Sequence, residues 1–170
     1  MFPRKKRPPF AARPSFTNPI RPAVRAVLVK DGKILLVKLK DNSGNFFVLP
    51  GGGQKHGETM TSTVKRECAE ELGIAIEPKR LCYVREYIGA NHEFAQRHKY
   101  FHQIEIVFEC ELLDDSHIGT GTEEDQRQVG FEWIPIENLP NTNIRPSCFK
   151  NFVKGGRLEI PYGAYLGDTN

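Results

Sequence analysis

No part of this chain approaches the roughly 18 to 20 consecutive apolar residues that a membrane-spanning helix requires, so the sequence predicts no membrane partner. Its cysteines are few and scattered. Cys68, Cys82, Cys110 and Cys148 include no C-x-x-C pair, which argues against a zinc ribbon or a thioredoxin-like site and fits reduced thiols in a cytoplasmic protein. The N-terminus is basic but lacks an apolar core, so it does not read as a secretory signal. There is no internal repeat, which excludes solenoids and propellers. What remains is a chain of 170 residues, 39% hydrophobic and 26% charged, enough for one domain with its own core.

Acidic residues are also missing where their absence is informative. Residues 1–22 hold six cations (Arg4, Lys5, Lys6, Arg7, Arg13 and Arg21), six of the 12 prolines and no acid. Six prolines preclude a regular helix or a central strand. Residues 1–22 are therefore expected to form an extended arm, and residues 23–170 the folded domain. Two roles are open for the arm: a grip on nucleic acid or on a second subunit, which would make a homodimer, or a solubilising tail. Without the arm, 18 basic residues face 21 acidic ones, so the domain itself is slightly acidic.

Within that domain the pattern alternates between strands and helices. Residues 23–30 and 33–39 are β-branched and aliphatic runs joined by Asp31-Gly32, a strong two-residue hairpin signal. A short strand over residues 46–49 is stopped by Pro50 and followed by three glycines. A helix is expected over residues 59–72, closed by Gly73. Further strands are expected over 81–88, 100–112 and 129–134, with short helices near 136–139 and 147–153. Along residues 102–109, Ile104, Ile106 and Phe108 share one face and Gln103, Glu105 and Val107 the other. Residues 89–98 and 114–128 read as long polar loops, the kind of segment that carries specificity. The fold class is α/β, an α/β/α sandwich around a central mixed sheet.

The segment that carries chemistry is GGGQKHGETMTSTVKRECAEELGI. On a helix of about 100° per residue, Met60, Val64, Cys68 and Leu72 span a core stripe roughly 120° wide. Glu67 and Glu71 fall within about 20° of the Met60 edge of that stripe, and Glu70 about 80° from it. Carboxylates so placed repel one another and are costly to bury without a counter-cation. Arg66 lies to one side of the group, so it flanks only part of it. A hard divalent cation suits the gap, because Mg²⁺ takes oxygen ligands and is usually held by one or two carboxylates plus substrate phosphate. The glycines at 51–53 let backbone approach a bulky anionic ligand. An acidic helix after a flexible loop is the plain alternative, but nine positions agree at fixed spacing, a coincidence on the order of 10⁻⁷ at average residue usage.

That spacing, Gly52-x5-Glu58-x7-Arg66-Glu67-Cys68-x-Glu70-Glu71-x-Gly73-Ile74, resembles the signature box of the Nudix hydrolases at every defined position. The one departure is Cys68, at a slot usually filled by an aliphatic residue. The resemblance implies hydrolysis of a nucleoside diphosphate linked to another group, with Mg²⁺ or Mn²⁺ as cofactor and a nucleotide as substrate. It further implies Glu67, Glu70 and Glu71 as catalytic metal ligands with Gly52, Glu58 and Arg66 as an orienting pair, and Gly53 shaping the substrate loop. The general base is expected in the box or on the later loop, where Glu123 and Glu124 are candidates. Arg25 and Lys38 sit on the first two strands, where either could meet phosphate, and Tyr87, Phe94, Tyr100 and Phe101 could stack on a base. ADP-ribose-like substrates are the leading expectation. An oxidised-nucleotide sanitiser and a 5′-RNA pyrophosphohydrolase gripping RNA through the arm are alternatives. So is a non-catalytic nucleotide sensor, against which the complete set of box carboxylates argues.

Overall fold

The computed structural model describes residues 18–119, 121–122 and 127–170. Its strands are β1 (Arg21–Val27), β2 (Val29–Lys30), β3 (Lys33–Asp41), β4 (Gly44–Val48) and β5 (Gly51–Gly53), followed by helix α1 (Met60–Leu72). Then come β6 (Ala75–Ile88), a four-residue helix α2 (Ala95–His98), β7 (His102–Asp114) and β8 (Gln128–Pro135). Two 3₁₀ segments, Ile136–Asn141 and Ser147–Phe152, precede short strands β9 (Val153–Lys154), β10 (Arg157–Leu158) and β11 (Ala164–Asp168).

These strands form a mixed five-stranded sheet, β11-β6-β7-β1-β5, and a smaller sheet in which β3 pairs with β2, β4 and β8. In the large sheet β1 runs parallel to β7 and antiparallel to β5. The α/β architecture with a mixed sheet is therefore as expected. The Asp31-Gly32 turn forms as well, with φ of 50° and 70° at its two positions. It joins β2 to β3, however, because the first run breaks at Leu28 and β1 crosses into the other sheet.

Alternation decides how the layers fill. On β1 and β7, Val24, Ala26 and Ile106 pack with Val64, Cys68 and Leu72 of α1. The opposite face sends Val27 and Val107 into a second cluster with Tyr83, Leu139 and Phe149. That second cluster is covered by 3₁₀ turns, so residues 147–153 do not form the expected α-helix. The other differences are local. The three glycines form a strand hydrogen-bonded to β1 instead of a loop. Residues 89–98 carry two helical turns, Gly89–Asn91 and α2. The tyrosine- and glycine-rich tail supplies edge strand β11, parallel to β6. Finally, β1 begins at Arg21, so the expected end of the arm at residue 22 falls inside a strand; residues 1–17 lie outside the described part. No helix among the described residues is long and apolar enough to cross a membrane.

Candidate active site

Helix α1 is held at both ends by its own sequence. Thr59 accepts from Ser62 N at 3.1 Å while Ser62 Oγ accepts from Thr59 N at 2.9 Å, a reciprocal cap that satisfies otherwise orphaned donors. At the other end Gly73 takes φ 69° and donates to Ala69 O. The buried stripe is Thr63, Val64, Cys68 and Leu72. Glu67, Glu70 and Glu71 thus emerge along the edge of the helix facing β5.

Arg66 organises them. Its Nε and Nη2 donate to Glu58 at 2.6 and 3.0 Å, and its Nη1 donates to Glu67 and Glu70 at 2.8 and 2.6 Å. Nη2 also donates to Gly53 O at 3.1 Å. The expectation that Arg66 flanks only one side of the acidic group is therefore corrected: the flexible side chain swings across the helix face and bridges both carboxylates. Glu58 is fixed further by the Lys55 N–H and the Thr63 hydroxyl, each at 2.9 Å. The Arg66 guanidinium, followed by the Lys55 amide, holds the Glu58 carboxyl at about 2, well below its usual value. The same contacts push Arg66 further up.

The glycine strand completes the cleft. Gly51 N donates to Glu71 Oε2 at 3.0 Å. Gly52 lies so close to Glu67 that an added Cβ would stand 2.6 Å from its carboxyl carbon and 2.8 Å from Oε1. A Cβ at Gly53 would lie 2.8 Å from Arg21 Nη2. Together these residues line a cleft of about 380 Å³ that also receives Arg25, Lys55 and Arg127.

Of the expected substrate cations, Arg25 is in this cleft and Lys38 is not. Arg25 donates to Glu105 at 3.4 Å, to Leu49 O at 3.2 Å and to Gly51 O, so it also pins the glycine strand. Lys38 pairs with Glu132 at 2.7 Å, on the face of β3 opposite to Leu39, which lines the cleft. Glu123 and Glu124 lie outside the described residues. The chain on either side of them docks on the end of α1, where Gly119 N donates to Leu72 O and Gln128 Nε2 to Glu71 O. A side chain at Gly121 would overlap the Glu70 and Glu71 carbonyl oxygens.

Sequence reasoning missed Arg21, which it assigned to the arm. Arg21 donates to Gln103, and burial followed by the nearby Arg25 lowers its pKa. It also missed the buried rung in which Glu105 accepts from Arg85 at 2.8 Å and from Arg25. Burial pushes the Glu105 carboxyl up, but the two guanidiniums outweigh it and hold it below its usual value. The only sequence signal was the placing of Glu105 and Gln103 on one face of a strand with Val107.

The donor chemistry suits a hard divalent ion. Glu67 and Glu70 are partly exposed, at 16% and 22%, and offer carboxylate oxygens to the cleft, with Glu71 beside them. Among the described residues no three His, Cys, Asp or Glu side chains already converge as a closed ligand set. Mg²⁺ does not require one, since it keeps water and substrate phosphate in its shell.

Comparison with known proteins extends this picture. The NUDIX domain family model matches residues 19–152. An ADP-ribose pyrophosphatase of Methanocaldococcus jannaschii is 34% identical over 119 residues, covering 69% of this chain and 63% of its own length. The nucleoside triphosphatase NudI of Enterobacter is 27% identical over 143 residues, 81% of this chain and 98% of its own. The chain thus spans less than two thirds of the archaeal relative. Among solved structures, a NUDIX hydrolase from Nitrosomonas europaea aligns with a TM-score of 0.62 at 20% identity, over 75% of this chain and 81% of that one. A UDP-X diphosphatase aligns at 0.57 and 26% identity, over 78% and 58%.

Proposed function

The chain belongs to the NUDIX domain family, and from that premise we propose that it hydrolyses the diphosphate bond of a nucleoside diphosphate joined to another group, with Mg²⁺ as its metal and Mn²⁺ able to replace it. Members of this family use divalent metal ions, and this chain keeps the acidic groups such an ion requires. The supporting observation is geometric: Glu67, Glu70 and Glu71 line one edge of α1 facing a strand of three glycines, with Glu67 and Glu70 tied together by Arg66 and Glu71 accepting from Gly51 N.

Glu67, Glu70 and Glu71 would hold the metal, with the backbone at Gly52 beside them. Bound in this cleft, divalent ions would neutralise the diphosphate and lower the pKa of an attacking water. The chain's own groups do the rest. Gly51 to Gly53 present no side chains, so the diphosphate lies directly against backbone. Arg21 and Arg25, on the same face of β1, add positive charge at the opposite wall. Arg66, clamped to Glu58, fixes Glu67 and Glu70 and limits their rotation before substrate arrives. The base that takes the proton from water is a carboxylate, Glu70 or Glu71 in the cleft or Glu123 or Glu124 on the following loop, and single substitutions separate the four.

ADP-ribose heads the substrate panel because of the relative named for it. The test is a screen of ADP-ribose, UDP-sugars, dinucleoside polyphosphates and nucleoside triphosphates with Mg²⁺ or Mn²⁺, scoring AMP, UMP or phosphate release. Metal-dependent cleavage at a diphosphate is expected. Absence of turnover across the panel with either metal contradicts the reading.

A further inference from the structure

Next to the catalytic cleft is a second cavity of about 360 Å³, the size that holds a phosphorylated sugar or a nucleoside. The two spaces share Arg25, Leu39, Val48 and Arg127, so a group joined to a diphosphate in the cleft passes directly into this cavity.

Its walls carry an excess of positive charge. In the floor, Glu105 is shared by Arg85 and Arg25, with side-chain exposures of 5%, 6% and 17%. Two guanidiniums share one buried carboxylate, so the rung itself carries a net positive charge in a poorly solvated place, a costly arrangement without an anion nearby. The rim adds Arg145 and Arg97. Arg145 donates to Asp41 at 2.8 Å and to Ser43 Oγ at 3.1 Å. Its guanidinium lies 3.8 Å from the centroid of Phe46 and 4.9 Å from that of Phe94, so it is held in one place before any ligand binds. Arg97, in the last turn of α2, is exposed toward the same space. Among the described side chains, and leaving aside Arg127 and the main chain of Asn170, which also line the cavity, four arginines (Arg25, Arg85, Arg97, Arg145) against two carboxylates (Asp41, Glu105) leave two positive charges. A neutral sugar or base would bury that surplus without answering it. A phosphate dianion matches it in sign and size, and guanidinium forks suit its oxygens.

We infer that this cavity is an anion subsite, and that one of the two groups flanking the scissile diphosphate, the nucleoside in the pairs below, carries a further phosphate. The inference rests on the hydrolase reading above and narrows its substrate class. Its test uses pairs of substrates that differ by one phosphate: ADP-ribose against 2′-phospho-ADP-ribose, and dephospho-coenzyme A against coenzyme A, with Mg²⁺. The phosphorylated member of a pair is expected to show a KM lower by roughly tenfold, the scale of one charge-assisted contact. Arg97→Gln should remove most of that advantage while leaving kcat and KM for the unphosphorylated member unchanged, which a merely structural role would not do. Equal KM within both pairs overturns the inference, as does an advantage that survives the Arg97→Gln/Arg145→Gln double variant. So does cleavage confined to diphosphates neither of whose flanking groups carries a further phosphate, such as UDP-glucose. In those cases the hydrolase reading stands. If no diphosphate is cleaved with any metal, that reading fails and the subsite falls with it.

Discussion

Gly52→Ala separates the catalytic claim from fold stability more sharply than removal of any carboxylate. Gly52 is not among the residues with positive φ, so alanine suits its backbone. The three atoms nearest to the added methyl all belong to the Glu67 carboxylate, with Cδ at 2.6 Å and Oε1 at 2.8 Å. Ordinary contact begins near 3.4 Å, so the carboxylate must retreat by about 1 Å, a displacement that can cost on the order of 10²-fold in rate when it misplaces a reacting constellation. Folding should register little, because the end of a glutamate side chain swings away cheaply and Gly→Ala at a compatible backbone gains about 0.4–1 kcal/mol through the unfolded state. The expected result is a thermal midpoint within a few degrees of the parent, kcat with Mg²⁺ lower by about a hundredfold, and weaker Mn²⁺ binding by electron paramagnetic resonance. A folded Gly52→Ala protein with parental kcat and parental Mn²⁺ affinity would refute the placing of Glu67 at the metal.

Two other perturbations probe the groups that hold the site. Glu58 is held near 2 against an ordinary 4.5, so its ion pair with Arg66 contributes stability above pH 4.5 and loses it as pH falls toward 2. The gap in thermal midpoint between parent and Glu58→Gln should therefore be full at pH 6 and close as the pH is lowered through that window; a gap that widens on acidification contradicts the pairing. Glu105→Gln leaves the Arg85 charge buried without its partner, and urea denaturation should show a loss of about 3–5 kcal/mol. A loss below about 1 kcal/mol would mean that water reaches the rung.

The sequence foresaw the parts of the site that are local and periodic. The helix, its glycine cap and the edge bearing Glu67, Glu70 and Glu71 all follow from spacing within 24 residues, where 3.6-residue periodicity and capping chemistry operate. The strand alternation that separates Ile106 from Val107 also came through. Relations set by register did not. Arg85 meets Glu105 only because β6 and β7 pair in one register, and Arg21 meets Gly53 only because β1 brings the glycines alongside. Nothing in the local sequence around Arg21, among prolines and other cations, distinguishes an arm residue from a strand residue facing a cleft. The long side chain of Arg66 defeated the helical wheel for a different reason: the wheel fixes where Cβ points, while the guanidinium reaches several ångströms further and bridges two carboxylates.

The central claim is that Glu67 and Glu70 hold the divalent ion on which cleavage depends. Mn²⁺ titration of the parent and of the Glu67→Gln/Glu70→Gln double variant, followed by electron paramagnetic resonance alongside turnover of the best nucleoside diphosphate substrate, tests it directly. The account predicts that the double variant keeps its fold but loses tight Mn²⁺ binding, with kcat lower by at least a hundredfold, the scale of a displaced catalytic constellation. Mn²⁺ affinity and turnover equal to the parent's would place the metal elsewhere and contradict the account.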